Sequence, residues 1–301
     1  MAKIKEIKRR IKSVKATKKI TRAMELVAAV KMKKAQDKAL GTRAYAAKAW
    51  EILVEAIEKT ENHDHFLLRP ATTGDGIMVV MSSDRGLCGG LNGNLFRFLE
   101  KFLEAQGEKK FAFITVGKTA ADYLRRTGRE VIATFSRLDN LPHAVEVRPA
   151  ARILFDELRA GKRDTVFVAF NRFLSSTSQM PAIKQLLPIA KSELMSAREL
   201  FASAQKPFGE LRATEAQQFL FEPSPEEVIE TVVPQLMEMQ LYQAVLESNA
   251  SEHSARMIAM HSATKNSEEL LGDLVSHYNQ SRQQSITQEI AEISSAAEAM
   301  A

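Results

Sequence analysis

The chain is poor in cysteine and has no long apolar run. Its 301 residues include a single cysteine, Cys88, which excludes an internal disulfide framework and any cluster of cysteine metal ligands. No uninterrupted apolar run is longer than five residues, as at 77–81, whereas a membrane-spanning helix needs about 18 or more. The first 20 residues alternate Lys and Arg with isolated Ile and Val, so we also expect no signal peptide.

Helix-breaking residues are scarce toward both ends of the chain. All nine prolines lie between Pro70 and Pro234, and only two of the thirteen glycines fall in the flanking segments. An interior proline costs a helix about 3 kcal/mol and a glycine about 1 kcal/mol. We therefore expect one long helical arm at residues 1–69 and a second at 228–301.

Apolar residues recur at steps of three and four in both arms, which is typical of a coiled coil. The first arm begins its stripe at Ile4, Ile7 and Ile11. Nine of thirteen seam positions in the second arm are apolar. Those seam positions are Leu236, Met239, Gln243, Leu246, Ala250, His253, Met257, Met260, Thr264, Ser267, Leu271, Leu274 and Tyr278. Sixty helical residues would extend roughly 90 Å, too far for burial in one globule, so the arms are predicted to form an antiparallel coiled coil.

Between the arms the pattern changes to short apolar runs that end at turn residues. Strands are predicted at 76–82, 111–116, 131–135 and 165–170, and helices at 91–106, 118–127 and 146–160. This alternation is typical of βαβ units and a mostly parallel sheet, with an antiparallel edge strand near 179–189. The fold class is therefore α/β: a Rossmann-like domain over residues 70–227, irregular from 190 onward, together with the coiled coil.

Positive charge is concentrated in the first arm. Residues 1–34 hold thirteen Lys and Arg against two acids, a net +11, so the rest of this +5 chain carries −6. Such a run is either the solvated face of a helix or a surface for a polyanionic partner, whether nucleic acid, lipid or an acidic protein. A coiled-coil nucleic-acid-binding protein is thus an alternative, although residues 1–44 contain no aromatic residue on which bases could stack.

Two glycine-containing turns raise the alternative of a nucleotide-binding enzyme. Gly117 opens a predicted helix as the end of a P-loop does, but the glycine required five positions earlier is Ala112, inside a strand. The other turn, at 82–92, lacks the dinucleotide-binding spacing, and Asp84 would repel a phosphate. Cys88 has no neighbouring histidine to activate it. We expect no catalytic residue and no cofactor.

Histidines give no stronger signal for a metal site. His63 and His65 flank Asp64, but no third or fourth ligand stands at helical spacing, so a polar turn is expected there. His253 falls on the predicted seam, where a hydrogen-bonded structural role is expected. The sequence predicts no metal site.

Several segments together resemble the γ subunit of F-type ATP synthases, and they extend over nearly the whole chain. The segments are IKSVKATKKITRAMELVAAVKM at 11–32, SSDRGLCGGLN at 82–92, a turn at 219–225, ASEHSARMIAM at 250–260, ATKN at 263–266 and YNQSRQQSITQEI at 278–290. The resemblance implies a non-catalytic rotor of the central stalk. It also implies two helices wound into a shaft within a ring of α and β subunits, and an α/β domain that holds the ε subunit and stands on the membrane c-ring. Proton flow would turn the c-ring and the shaft, and rotation would drive the β sites through different nucleotide affinities.

The resemblance also implies which residues contact the β subunits. Gln283 and Thr287 would bind a β loop, Glu252 and Arg256 would belong to the same contact set, and Met24 and Cys88 would lie near acidic lever segments of β. Val30 departs from the family pattern, in which we expect a small polar residue.

Two absences indicate the subtype. The matched block begins near the first residue, so a mitochondrial presequence is not expected, and with Cys88 alone the thiol-regulated insertion of chloroplast γ subunits is not expected either. The expected location is the cytoplasmic side of a bacterial inner membrane, as a peripheral subunit.

Overall fold

The structure is a computed structural model that describes residues 2–59, 75–136, 143–188 and 219–300. The predicted turn at His63, Asp64 and His65 and residues 190–218 of the predicted irregular connection lie outside the described residues. In chain order the elements are α1 (Ala2–Lys59), β1 (Gly76–Met81), α2 (Leu91–Ala105), β2 (Phe111–Val116), α3 (Lys118–Arg126), β3 (Val131–Phe135), a 3₁₀ helix (Ala144–Val147), α4 (Arg148–Arg159), β4 (Thr165–Phe173), β5 (Gln179–Leu187) and α5 (Pro225–Met300).

The strands form one five-stranded sheet in the order β3-β2-β1-β4-β5. β1 pairs in parallel with β2 and with β4, and β2 pairs in parallel with β3. β5 pairs antiparallel with β4 at the edge of the sheet. The predicted mostly parallel sheet and its antiparallel edge strand are confirmed.

Both faces of the sheet are covered, as is usual for parallel sheets. Successive side chains of a strand point to opposite faces, so Met78 and Val80 join the core formed with α2 and α3. Ile77, Val79 and Met81 join the core on the other face, which includes residues of α4, α1 and α5. All six positions of β1 are buried, which makes this strand the centre of the α/β domain.

The chain divides into two compact units, and the two long helices contribute to both. The first unit contains the residues up to Val30 and those from Arg256 onward, and the second contains residues 31–255. In the second unit, Leu53 of α1 and Leu241 of α5 belong to the same buried core as the sheet. The long helices are thus packed against apolar surface in this unit rather than standing alone.

In the first unit α1 and α5 pair in antiparallel orientation. Lys18 Nζ lies 2.7 Å from Glu268 Oε1, the Thr264 hydroxyl lies 2.8 Å from that of Thr21, and His261 Nδ1 lies 3.1 Å from Glu25 Oε1. The residue numbers of each pair add up to 286, 285 and 286. This constant sum is what an antiparallel register requires, so the predicted antiparallel pairing is confirmed.

The same register carries the end of α5 past the first described residue of α1. Because α1 begins at Ala2, its first residue corresponds to residue 284 of α5. Residues 285–300 of α5 therefore extend past the start of α1, by roughly 24 Å at 1.5 Å per residue. Along this stretch the described residues of α1 provide no packing, and packing supplies most of the stability of helices in proteins.

The start of α5 follows ordinary helix-capping chemistry. Pro225 occupies the first helical position, where its missing N–H is not needed. The Ser224 hydroxyl accepts a hydrogen bond from the Glu227 N–H at 3.2 Å. The helix thus begins three residues before the predicted position 228, and it continues through Pro234.

We expect the helix pairing of the first unit to weaken at acid pH. Burial raises the pKa of Glu25, but hydrogen bonds from His261 and Arg22 outweigh burial, and the net pKa lies below the ordinary value of 4.5. The carboxylate therefore adds stability above pH 4.5, and this contribution disappears as the pH falls through the lower pKa of the folded state. Thermal melting followed by circular dichroism should show a lower midpoint at acid pH than at neutral pH.

At neutral pH the Glu25→Gln variant should have a lower melting midpoint than the parent chain. On acidification its midpoint should fall by less than that of the parent chain. Glu6→Gln is the matched control, because the partner of Glu6, Arg10, lies on the same helix and both side chains are exposed. If Glu25→Gln and Glu6→Gln behave alike, the contact between the two helices is not the source of the pH dependence.

Candidate partner-contact sites

The loop after β1 packs over the N-terminus of α3, the position at which a P-loop ending at Gly117 would bind a phosphate. The N-terminus of a helix attracts anions through its free N–H groups, but those of α3 are already bound. Asp84 Oδ1 accepts from the Lys118 N–H at 2.7 Å, and Ser82 Oγ accepts from the Ala120 N–H at 2.8 Å. The Ser83 carbonyl accepts from the Thr119 N–H at 3.3 Å. The protein's own groups occupy the place of a phosphate.

Gly117 allows this close packing between the loop and α3. Its φ is +101°, a conformation that side chains rarely adopt. A Cβ at this position would lie 2.2 Å from the Ser82 carbonyl oxygen. The glycine is therefore required for contact between two backbone segments of the protein and not for the approach of a ligand.

Gly117→Ala should destabilise the α/β domain by more than about 2 kcal/mol, because backbone strain and a backbone clash add together. Gly128→Ala is the matched control: its φ is +69°, but no atom lies within 4 Å of the position of a Cβ. That variant should lose only about 1 kcal/mol, from strain alone. Urea unfolding at equilibrium measures both values, and equal losses would show that the contact with Ser82 is unimportant.

Cys88 is buried within the same loop, with 3% of its surface exposed. Its sulfur lies 3.7 Å from the Ser83 hydroxyl and 3.8 Å from the Asn92 amide nitrogen. Asn92 also donates to the Ser83 hydroxyl at 2.6 Å, so this small network holds the loop in shape. The adjacent Leu87 has a φ of +65° and is 59% exposed. The loop thus presents Leu87, rather than the thiol, to the solvent.

Met24 lies half-buried on α1 in the first unit, beside a strongly basic surface. The basic residues of this part of α1 are exposed: Lys5, Lys8, Arg9, Arg10, Lys12, Lys15, Lys19 and Arg22. Lys18, the one that faces α5, is paired with Glu268. The charge is displayed on the surface and is not used in the interior of the helix pair.

Glu252 and Arg256 lie on α5 in different environments. Glu252 belongs to the second unit and is 3% exposed, between the buried residues Ser251 and His253. Arg256 belongs to the first unit and is half-buried. The four-residue spacing of the two does not place them in one exposed patch.

Gln283 and Thr287 lie close to the end of α5 and are both exposed. Being four residues apart, they share one face of the helix. The Thr287 hydroxyl donates to the Gln283 backbone carbonyl at 2.9 Å, which leaves its oxygen lone pairs and the Gln283 amide toward the solvent. An amide and a hydroxyl can form hydrogen bonds with a partner, but neither is a strong base.

An apolar stripe beside these two residues was not predicted from the sequence. Ile286, Ile290 and Ile293 are 48%, 61% and 70% exposed. They stand at steps of four and three on the part of α5 that extends past α1, so they form one face. Their spacing of four and three residues was a sufficient signal for this stripe, but the predicted seam ended at Tyr278.

The part of the chain that the structure describes has neither a membrane-spanning helix nor a metal site. Within it, no helix is both long and apolar enough to cross a membrane. Likewise, no group of three or more His, Cys, Asp or Glu side chains in the described ranges is arranged to hold a metal ion.

Comparison with known proteins identifies the family. The family model described as ATP synthase matches residues 3–300. The ATP synthase gamma chain of Dehalococcoides mccartyi is 37% identical over 303 residues, with 100% of both chains covered. Those of Leptothrix cholodnii and Roseiflexus castenholzii are also 37% identical, with this chain fully covered and 100% and 99% of the relatives covered.

The chain belongs to the ATP synthase gamma chain family.

Solved structures agree with this fold. A chain of the Euglena gracilis mitochondrial ATP synthase rotor in rotational state 1 is 20% identical, with a TM-score of 0.61 over 95% of this chain and 99% of that chain. A chain of the Tetrahymena thermophila mitochondrial ATP synthase central stalk and c-ring is 22% identical, with a TM-score of 0.58 over 81% and 99%. At this identity the likeness concerns the fold alone.

Membership in the gamma chain family confirms the predicted function. The chain is a central-stalk rotor subunit and not a catalytic subunit of ATP synthase. Neither the nucleic-acid-binding alternative nor the Rossmann-type enzyme is needed to explain the basic arm or the α/β domain. The filled N-terminus of α3 gives a physical reason why a gamma chain with this sheet has no phosphate cradle there.

We therefore expect the isolated gamma chain to show no ATPase activity and no more than weak binding of ATP. Both can be checked by titration calorimetry and by a phosphate-release assay on the purified chain, with the assembled complex as the positive control. Stoichiometric turnover that stays with the gamma chain through further chromatography would contradict this expectation.

Proposed function

We propose that the exposed end of α5 is the part of this rotor subunit that turns inside the ring of α and β subunits. The observation that carries the proposal is the stretch at 285–300, which extends past α1 and exposes Ile286, Ile290 and Ile293. Three exposed isoleucines on a helical stretch that lacks packing against α1 favour a surrounding apolar surface. Apolar contacts have no preferred direction, so such a surface supports the helix and still allows it to rotate.

Gln283 and Thr287 add the directional part of this contact. Their exposed amide and hydroxyl form hydrogen bonds with a loop of β at particular angles of rotation. Each bond contributes about 1 kcal/mol, which is small enough to be broken and re-formed during each turn. The resemblance assigns Glu252 and Arg256 to contacts with β as well, but Glu252 is buried, so we retain only the half-buried Arg256 as a contact residue.

The basic surface of α1 is proposed to face the acidic lever segments of β, near Met24. Exposed lysines and arginines attract an acidic surface over about 8 Å at physiological salt, so the attraction tolerates a change of angle. At the α/β domain, the loop that contains Cys88 is proposed to contact β through its exposed residues, since the thiol itself is buried.

The α/β domain is proposed to hold the ε subunit and to stand on the c-ring. The similar solved structures are of a rotor and of a central stalk with its c-ring, which supports this placement. Rotation of a proton-driven c-ring would then be transmitted to the β sites, and the same link would regulate ATPase activity and proton flow. The relatives are bacterial gamma chains, which supports a peripheral position on the cytoplasmic side of a bacterial inner membrane.

Replacing Gln283 and Thr287 together by Ala should weaken coupling or assembly by about 1 kcal/mol for each lost hydrogen bond. Cys88→Ser should leave ATP hydrolysis and ATP-driven proton pumping nearly unchanged, because the thiol is buried and performs no covalent chemistry. The measurement compares ATP hydrolysis with ATP-driven proton pumping in complexes assembled with each variant.

The matched control is Gln288→Ala. Gln288 is also exposed near the end of α5, but it faces another side of the helix and its amide donates to Glu292 of the same helix at 2.9 Å. If the Gln283 and Thr287 double variant hydrolyses ATP and pumps protons like the parent complex while Cys88→Ser abolishes both activities, the proposed roles are wrong. Gln283 and Thr287 would then not be contact residues, and Cys88 would not be a mere packing residue.

A further inference from the structure

Buried hydroxyl groups join the β4–β5 hairpin to α5 within the second unit. The Ser251 hydroxyl donates to the Asn171 carbonyl at 2.8 Å. The Ser254 hydroxyl donates to the Ser176 carbonyl and accepts from the Gln179 amide at 3.0 Å. Both serines are 0% exposed. The Ser251 bond is buried, whereas the two Ser254 bonds are part-buried, because Ser176 is exposed and Gln179 is half-buried. We call Ser251, Ser254 and Gln179 the hairpin clamp.

The hairpin clamp lies beside a large apolar interface. It fixes the rotation angle of α5, which apolar contacts alone do not fix. Leu241, Val245 and Leu246 of α5 are buried in the core that includes the sheet. Apolar burial resists separation of the surfaces, but it is not directional and opposes a small rotation of the helix only weakly. Hydrogen bonds depend steeply on distance and angle, so the clamp fixes α5 at one angle against the hairpin.

The neighbouring Asn171 amide indicates that this cluster is not optimised for stability. The Asn171 amide nitrogen is buried, and it has no hydrogen-bond partner among the described residues. A buried polar group without a hydrogen-bond partner lowers the stability of the fold. A purely stabilising interface at this place would be apolar, whereas polar groups that are retained in a core fix one arrangement among several.

We propose that Ser251 and Ser254 are positioning residues that stop α5 from slipping against the α/β domain when torque passes between them. This inference rests on the proposed function, in which the α/β domain receives rotation and α5 delivers it to the β subunits. Each lost hydrogen bond makes the slipped arrangement about fivefold more populated relative to the fixed one. The consequence is ATP hydrolysis that is not accompanied by proton pumping.

The experiment uses the complete complex with Ser251→Ala, Ser254→Ala and the double variant. ATP hydrolysis, protons pumped for each ATP hydrolysed, and the melting midpoint of the purified chain are measured for each. We expect hydrolysis to continue and the uncoupled fraction to rise about fivefold for each lost bond. The midpoint should fall only by the cost of the lost hydrogen bonds, without loss of the folded state. Gln179→Met, which removes only the bond to Ser254 from a half-buried position, should give an intermediate effect and covers the case in which the double variant folds poorly.

Two matched controls separate positioning from simple packing. Ser267→Ala removes a hydroxyl that donates only within α5, to the Ala263 carbonyl at 2.7 Å, and should leave coupling unchanged. Asn171→Val removes the buried amide but keeps the backbone carbonyl to which Ser251 donates, so it should also remain coupled.

Two results would overturn the inference. One is a parallel fall of hydrolysis, pumping and melting midpoint, which would show that the serines only support the fold. The other is unchanged coupling in the double variant. Failure of the proposed function itself is distinguishable, because in that case the parent chain would not support coupled pumping at all.

Discussion

Each of the two long helices must bury its apolar stripe against another element, and the rest of the structure depends on this requirement. α1 has 58 residues and α5 has 76, and helices of such length gain most of their stability from packing and little from intrinsic propensity. In the first unit each stripe is half-buried against the other helix. In the second unit both helices share a core with the sheet.

The polar groups of the two units serve different purposes. In the first unit the ion pair between the helices has exposed members, with 32% of the Lys18 side chain and 67% of the Glu268 side chain accessible. Exposed pairs of this kind contribute little to stability. In the second unit the hydroxyls of Ser251 and Ser254 are fully buried and have definite partners. The exposed ion pair suits a surface that moves past partner subunits. The buried hydroxyls suit a contact that holds α5 at a fixed angle to the hairpin.

The sequence was sufficient for the architecture because the signals were local and repeated. The distribution of proline and glycine separated the helical arms from the middle, and the short apolar runs located β1 to β4 to within a few residues. The buried state of Cys88 and Glu252 could not be predicted in this way, since it depends on Asn92 and Ser83 in one case and on packing within the second unit in the other. The spacing of the three exposed isoleucines is visible in the sequence. Their exposure could not be predicted, because it depends on where α1 begins relative to α5.

The constant register of the first unit limits which changes in length the chain can accept. Deleting one residue from α1 before Lys18 would rotate everything on its N-terminal side by about 100° around the helix axis. Lysines that now face outward would then point toward α5, while Ile4, Ile7 and Ile11 would turn away from it. Removing seven residues would restore the stripe almost to its original face and would lengthen the unpaired end of α5. Natural variation in the length of this part of the chain is therefore expected to occur in steps close to whole heptads.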